Sequence, residues 1–210
     1  MNARPVSTPP PDDSELSGPL IGNLPPDKSR GSWAMALTIV TEALLFVSMF
    51  FAYFYVGRLQ QYWPTHPPKL KVALTLLVIL LTSSGTIYAA EHLVKKGAHL
   101  AARLLLILTI ALGVVFMVVQ VFEYLEELKE VTPTTNAYGS LFYVITGFHA
   151  LHVIAGLLML TFVACLPALD PPDSPHRPLH NAALYWHFVD VVWVFVVGLL
   201  YVLPHWSRLP

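Results

Sequence analysis

Five stretches of this chain, at about residues 31–58, 70–95, 100–128, 137–167 and 180–204, stay apolar for longer than the roughly 20 residues a helix needs to cross a bilayer. Hydrocarbon offers no partner to a backbone N–H or C=O, so segments of this length cross as helices whose hydrogen bonds are internal. The pattern predicts an all-α fold, an integral membrane bundle of five transmembrane helices over residues 31–204. Composition agrees, with 55% hydrophobic and only 12% charged residues, about half the charge of a soluble domain. A net charge of −1 leaves no electrostatic footprint for a nucleic-acid partner.

The joints between the stretches carry breakers or charge. They are Trp63-Pro64-Thr65-His66-Pro67-Pro68, Lys95-Lys96-Gly97, Glu126 to Glu130 followed by Thr132-Pro133, and Pro167 to Pro178. Residues 1–30 hold seven of the eighteen prolines and no apolar core of the kind a secretory signal has. They are expected to form an extramembrane, disordered tail, and residues 205–210 a short C-terminal one. Cys165 is the only cysteine. An intrachain disulfide or a dicopper–thiolate site is therefore excluded, and a small apolar residue near a helix end is the expectation. No internal repeat supports an inverted-repeat transporter.

Five spans place the two ends on opposite sides. Arg4, Lys28, Arg30, Lys95, Lys96, Arg103 and Arg177 fall on the N-terminal side, against Arg58, Lys69, Lys71, Lys129 and Arg208 on the other. Seven against five favours a cytoplasmic N-terminus.

Ionisable groups inside the spans are costly unless partnered. The last span carries two of them, His187 and Asp190, on one helical face and in a cluster with Trp186 and Trp193. At about 1.5 Å rise per residue, Glu42 lies about 15 Å into the first span. His149 in the fourth span reaches the same depth, while His152 and Asp190 sit together nearer the inner side. Depth thus predicts two interhelical contacts, Glu42 with His149 and Asp190 with His152. Gln120 and Glu123, near the outer end of the third span beside Tyr124, read as interface-level polar groups in an aromatic belt. Glu91 and His92 read as solvated; His66, His99, His176, His180 and His205 receive no role. Trp186 and Trp193, seven apart, read as a core or subunit contact. Gly85 and Gly113 mark possible close approaches of helices.

Three roles are open for the intramembrane polar groups. They fasten helices, at about 1 kcal/mol each; or Glu42 handles protons; or His149, His152, Glu42, Glu123 and Asp190 hold a metal or haem. The last would make the chain an independent His/carboxylate membrane metalloenzyme, although the repeated Glu-x-x-His pairs of carboxylate-bridged centres are missing.

Four motifs bear a resemblance. Tyr185-Trp-His-Phe-Val-Asp-Val-Val-Trp193 looks like the last-helix signature of subunit III of the haem–copper oxidases. Tyr138-Gly-Ser-Leu-Phe-Tyr-Val-Ile-Thr-Gly-Phe-His-Ala-Leu-His-Val153 resembles that family's penultimate helix. Thr41-Glu42-Ala-Leu-Leu-Phe-Val-Ser-Met-Phe-Phe51 and Gln120-Val-Phe-Glu-Tyr-Leu-Glu126 resemble two further segments, in the family's order.

The resemblance implies an accessory subunit without a redox cofactor, belonging to a proton-translocating cytochrome c oxidase. Haems and copper would sit in partner subunits I and II, and subunit I would be the main contact, with a larger respiratory supercomplex beyond. It also implies bound phospholipid, support of proton uptake, and Glu42 at the position of the family's carbodiimide-reactive carboxylate. The seven-helix mitochondrial form has two helices more than this chain, so the five-helix bacterial form in the inner membrane is the expectation. Related subunits of quinol oxidases and nitric oxide reductases are the alternatives, and Glu42 leans toward the cytochrome c branch. His149, His152, His187, Asp190 and Glu123 complete the set of proton-related or interhelical polar candidates.

Overall fold

A computed structural model describes residues 27–60, 63, 69–169 and 177–206. Among them every regular element is helical. The order is α1 (Asp27–Leu59), α2 (Leu70–Lys95), α3 (His99–Glu127), α4 (Ala137–Cys165) and α5 (Pro178–Val196), then a π-helical turn (Val197–Val202) and α6 (Leu203–Trp206). Among the described residues, five helices, the last continuing through the π turn, are long and apolar enough to cross a membrane. The chain is a multi-pass membrane protein. The backbone of α1 begins at Asp27, inside the stretch read as tail. The remainder of that stretch, the Pro64–Pro68 and Asp170–His176 parts of two joints, and residues 207–210 lie outside the described residues.

Burial ranks the helices. Only 6% of the α1 span is buried, against 28% in each of α2, α3 and α4 and 56% in α5. The last helix is therefore the axis of the bundle, and α1 lies along its outside, touching α4 and α5. The stripe Leu37, Val40, Leu44, Val47 and Phe51 points away from the bundle, at the helical spacing of one continuous face.

The seam between α2 and α3 follows a seven-residue rule. Ala73, Leu76, Leu80, Ser83, Ile87 and Ala90 are the buried residues of α2, and Ala102, Leu106, Thr109, Gly113, Phe116, Gln120 and Glu123 those of α3. Spacings alternating between three and four residues keep one stripe on the seam of two nearly antiparallel helices. Their joint is tight, with Gly97 at φ +78°, a left-handed conformation that glycine adopts without steric cost. A hydroxyl pair, Thr86 with Thr109 at 2.7 Å, closes the seam inside the membrane.

Trp186 of α5 fills the centre. Its indole lies between Gly113 of α3 and Gly156 of α4, where an added Cβ would come within 2.7 and 2.8 Å of the ring. Its N–H donates to Ser83 Oγ of α2 at 2.9 Å. One side chain thus joins four helices. Gly113 fulfils the expectation of close approach. Gly85 does not: nothing lies within 4 Å of its Cβ position, because it falls outside the buried stripe of α2.

The ends are tied by polar and aromatic contacts. Asn136 caps α4 by accepting from the Gly139 N–H at 2.8 Å. Arg103 of α3 donates to the Leu166 carbonyl just beyond α4 at 2.6 Å. Trp63 folds back on Tyr53 and Tyr138, with centroids 5.1 and 5.4 Å away. Lys69 pairs with Glu126, which holds the ammonium above the usual lysine range; so exposed a pair adds little stability. Cys165 is exposed at the last position of α4.

The seat of Trp186 yields a prediction. Gly156→Ala and Gly113→Ala drive a methyl group into an indole held on both sides and should each destabilise by about 1–3 kcal/mol. Gly85→Ala should stay within about 0.5 kcal/mol of the parent. Thermal unfolding of the detergent-solubilised protein measures all three.

Candidate functional site

The polar side chains of the last helix meet α2 rather than α4. Ser84 of α2 touches both His187 and Asp190: its Oγ lies 2.8 Å from His187 Nδ1 and donates to Asp190 Oδ2. A hydroxyl has one proton. With that proton on the carboxylate side, Ser84 accepts from His187, and the order is His187 Nδ1–H to Ser84 Oγ–H to Asp190 Oδ2. Two turns toward the helix start, His180 Nδ1 lies 2.9 Å from Glu91 Oε1, and Asn181 Oδ1 accepts from Ser32 of α1 at 3.3 Å. His180, given no role from sequence, and Glu91, read as solvated, are therefore partners.

Glu42 finds His152, with Oε2 3.0 Å from Nε2. The other ring nitrogen, Nδ1, lies 2.7 Å from the Phe148 carbonyl. A carbonyl only accepts, so Nδ1 carries a proton. The contact between Nε2 and the Glu42 carboxyl then holds a single further proton, placed on the imidazole or on the carboxyl. Phe46 stands edge-on to the His152 ring at 5.0 Å, and Phe188 does so at 6.4 Å. The Glu42 side chain remains 33% exposed, on the outer side of the bundle and near the middle of α1.

Both expected pairings are corrected. Glu42 bonds His152, not His149, and Asp190 bonds Ser84, not His152. Both ring nitrogens of His152 are already engaged, so none is left for Asp190. Counting residues from a helix end gives a level only to within about a turn. It carries no information on the direction a side chain takes around its helix, and three residues along α4 turn a side chain by about 60°.

His149 lies on the other side of that turn. It is 1% exposed, stacks on Trp193 at 4.7 Å and receives the edge of Phe116 at 5.9 Å. Neither of its ring nitrogens has a hydrogen-bond partner. Trp193 is fully buried like Trp186, which makes both tryptophans core residues.

Gln120 and Glu123 point into the bundle. They are 2% and 5% exposed, because they continue the α3 stripe that contains Gly113 and Phe116. Neither side chain has a hydrogen-bond partner. Tyr124 does meet an aromatic neighbour, Tyr143, at 5.4 Å. Of the five residues considered as a metal set, only Glu42 and His152 are in hydrogen-bond contact. Among the described residues no group of three or more His, Cys, Asp or Glu side chains could hold a metal ion.

Comparison with known proteins adds identity to this geometry. The family model described as Cytochrome c oxidase subunit III matches residues 28–207. The cytochrome c oxidase subunit 3 of Anopheles gambiae is 37% identical over 185 residues, covering 83% of this chain and 68% of that protein. The subunit 3 of Loxodonta africana is 38% identical over 180 residues, covering 80% of this chain and 68% of that protein.

The Ser84 bridge is testable. Ser84→Ala leaves His187 and the buried Asp190 without their shared hydroxyl and should destabilise by about 1–3 kcal/mol. Ser84→Thr, which restores the hydroxyl, should recover most of the loss. Comparing the unfolding midpoints of the two variants with the parent measures this.

Proposed function

The chain belongs to the cytochrome c oxidase subunit III family, and from that premise we propose that it is the accessory, non-redox subunit III of a bacterial cytochrome c oxidase. The complex passes electrons from cytochrome c to oxygen and translocates protons. Haems and copper reside in subunits I and II. This chain packs on subunit I in the inner membrane with its N-terminus in the cytoplasm, stabilises that subunit, and supports proton uptake. It carries bound phospholipid; an outward apolar groove lined by Val114, Met117, Val118, Val121, Ile154 and Leu157 suits an acyl chain.

The observation that carries the proposal is the Glu42–His152 pair. It places one proton between a carboxyl and an imidazole in mid-span, on a face left partly open. A pair that served only to fasten α1 to α4 would be as effective closed off from its surroundings. An open pair can pass its proton to a neighbouring group, and the resemblance implies that Glu42 is the family's reactive carboxylate.

Two measurements test the reading. Purification of the complex from its source should recover this chain with a haem-bearing subunit I and a copper-binding subunit II, while the isolated chain carries no stoichiometric iron or copper. In the complex, Glu42→Gln keeps a hydrogen bond to His152 but removes the exchangeable proton. Assembly should persist, and the pH profile of turnover or the lifetime of the active enzyme should change. An unchanged profile and lifetime would return Glu42 to helix fastening alone.

A further inference from the structure

Among the described residues, the buried polar atoms without a hydrogen-bond partner in the half of the bundle near Glu127 include both amide atoms of Gln120, both oxygens of Glu123, both ring nitrogens of His149 and Nε1 of Trp193. They are not scattered. Phe116, Gln120 and Glu123 are successive positions of one buried stripe on α3. At its lower end, Phe116 touches His149 and Trp193, at 5.9 and 5.1 Å, and these two stack on each other. At its upper end Glu123 is within electrostatic reach of Tyr201, whose ring lies 6.4 Å from Trp193 and 5.9 Å from Phe142. Helices α3 and α5 run in the same direction. With Phe116 level with Trp193, Gln120 and Glu123 are therefore level with residues 197–201, within the π turn Val197–Val202.

Gln120 and Glu123 could have satisfied each other, being three apart on a helix, and do not. Buried polar groups in folded proteins find partners in protein or in bound water. A polar group left dry loses its solvation without return, and a carboxyl loses most. A π turn at the same level is the local widening that such turns bring to functional helices.

We propose that Gln120, Glu123, His149 and the Trp193 N–H line a hydrated site that opens at the Glu127 end of the bundle, binds ordered water, and makes Glu123 a carboxyl that exchanges its proton with that water. The site is separate from Glu42 and His152 and does not depend on the role assigned to them. Its ligand is water, held by two to four of these groups at a time. Glu127, half-buried one turn beyond Glu123, stands at its mouth.

Cysteine accessibility tests this in the full chain within its membrane, with Cys165→Ser as background. Gln120→Cys and Glu123→Cys are compared with Val118→Cys and Phe122→Cys, whose parent residues face outward at 49% and 64% exposure. A thiol reacts as its thiolate and needs water to ionise. A charged, membrane-impermeant methanethiosulfonate applied from the Glu127 side should label positions 120 and 123 at least about tenfold faster than 118 and 122. Labelling at 120 and 123 no faster than at 118 and 122, in chains that insert normally, overturns the proposal. The unmodified chain gives a second readout that does not depend on the cysteine variants folding. An infrared carboxyl band absent from Glu123→Gln should shift when the protein is moved into heavy water. A Glu123 band that does not shift overturns the proposal as well.

Discussion

Trp186 decides how the helices of this bundle can be arranged. Lipid tails are as apolar as leucine, so apolar surface alone gives transmembrane helices no reason to prefer one neighbour over another. Shape and hydrogen bonding supply the preference. An indole seated between two glycines of different helices, with its N–H on a serine of a third, satisfies both at one point. The same seat fixes the rotation of α5. With Trp186 directed at α3 and α4, His187 and Asp190 are turned toward α2, and their partner has to come from there. Ser84 is adjacent to Ser83, the acceptor of the indole, so the packing contact and the polar bridge are set by neighbouring residues on both helices.

That dependence explains what could be read from the sequence and what could not. The five spans, their joints and the all-α architecture follow from the length of apolar runs, a constraint that acts on each segment alone. The candidate polar residues were also legible, because an ionisable group in an apolar run stands out. Their pairing was not. It depends on rotations that are set by Gly156 and Ser83, two small residues that carry no signal in an apolar sequence. Ser84 was equally silent, as serine occurs in many spans without a polar partner. The inward direction of Gln120 and Glu123 does not follow from their distance to the helix end, which carries level but not phase. The seven-residue spacing from Ala102 through Gly113 to Glu123 was present in the sequence and would have put them inside.

The exposure of α1 has a related origin. It contacts α4 and α5 through one narrow edge, with Phe46 and Tyr53 as its buried aromatics. Its attachment therefore relies on a few directional contacts: Ser32 with Asn181 near one end, Glu42 with His152 in the middle, and the Tyr53–Trp63–Tyr138 cluster at the other. A carboxyl in the middle position serves both attachment and access. The edge that fixes the helix is narrow enough to leave the same group partly open.

The polar groups of the bundle then divide along its axis. From the start of α5 to Asp190 they occur as partnered sets: Glu91 with His180, Ser32 with Asn181, Ser84 with His187 and Asp190, Ser83 with Trp186. Beyond Asp190, among the described residues, the side chains of Gln120, Glu123 and His149 are buried without a hydrogen-bond partner. The division coincides with a change in the helix itself, which leaves α-helical geometry at Val197. A regular helix presents a fixed phase, and partners on its neighbours can be placed to match. A π turn shifts the phase of everything after it by the width of one residue. Direct pairing across α3, α4 and α5 is then harder to satisfy in register, whereas water, which has no register, can bridge whatever separations result. The irregular end of the last helix and the unpaired polar stripe facing it are in this view one structural feature.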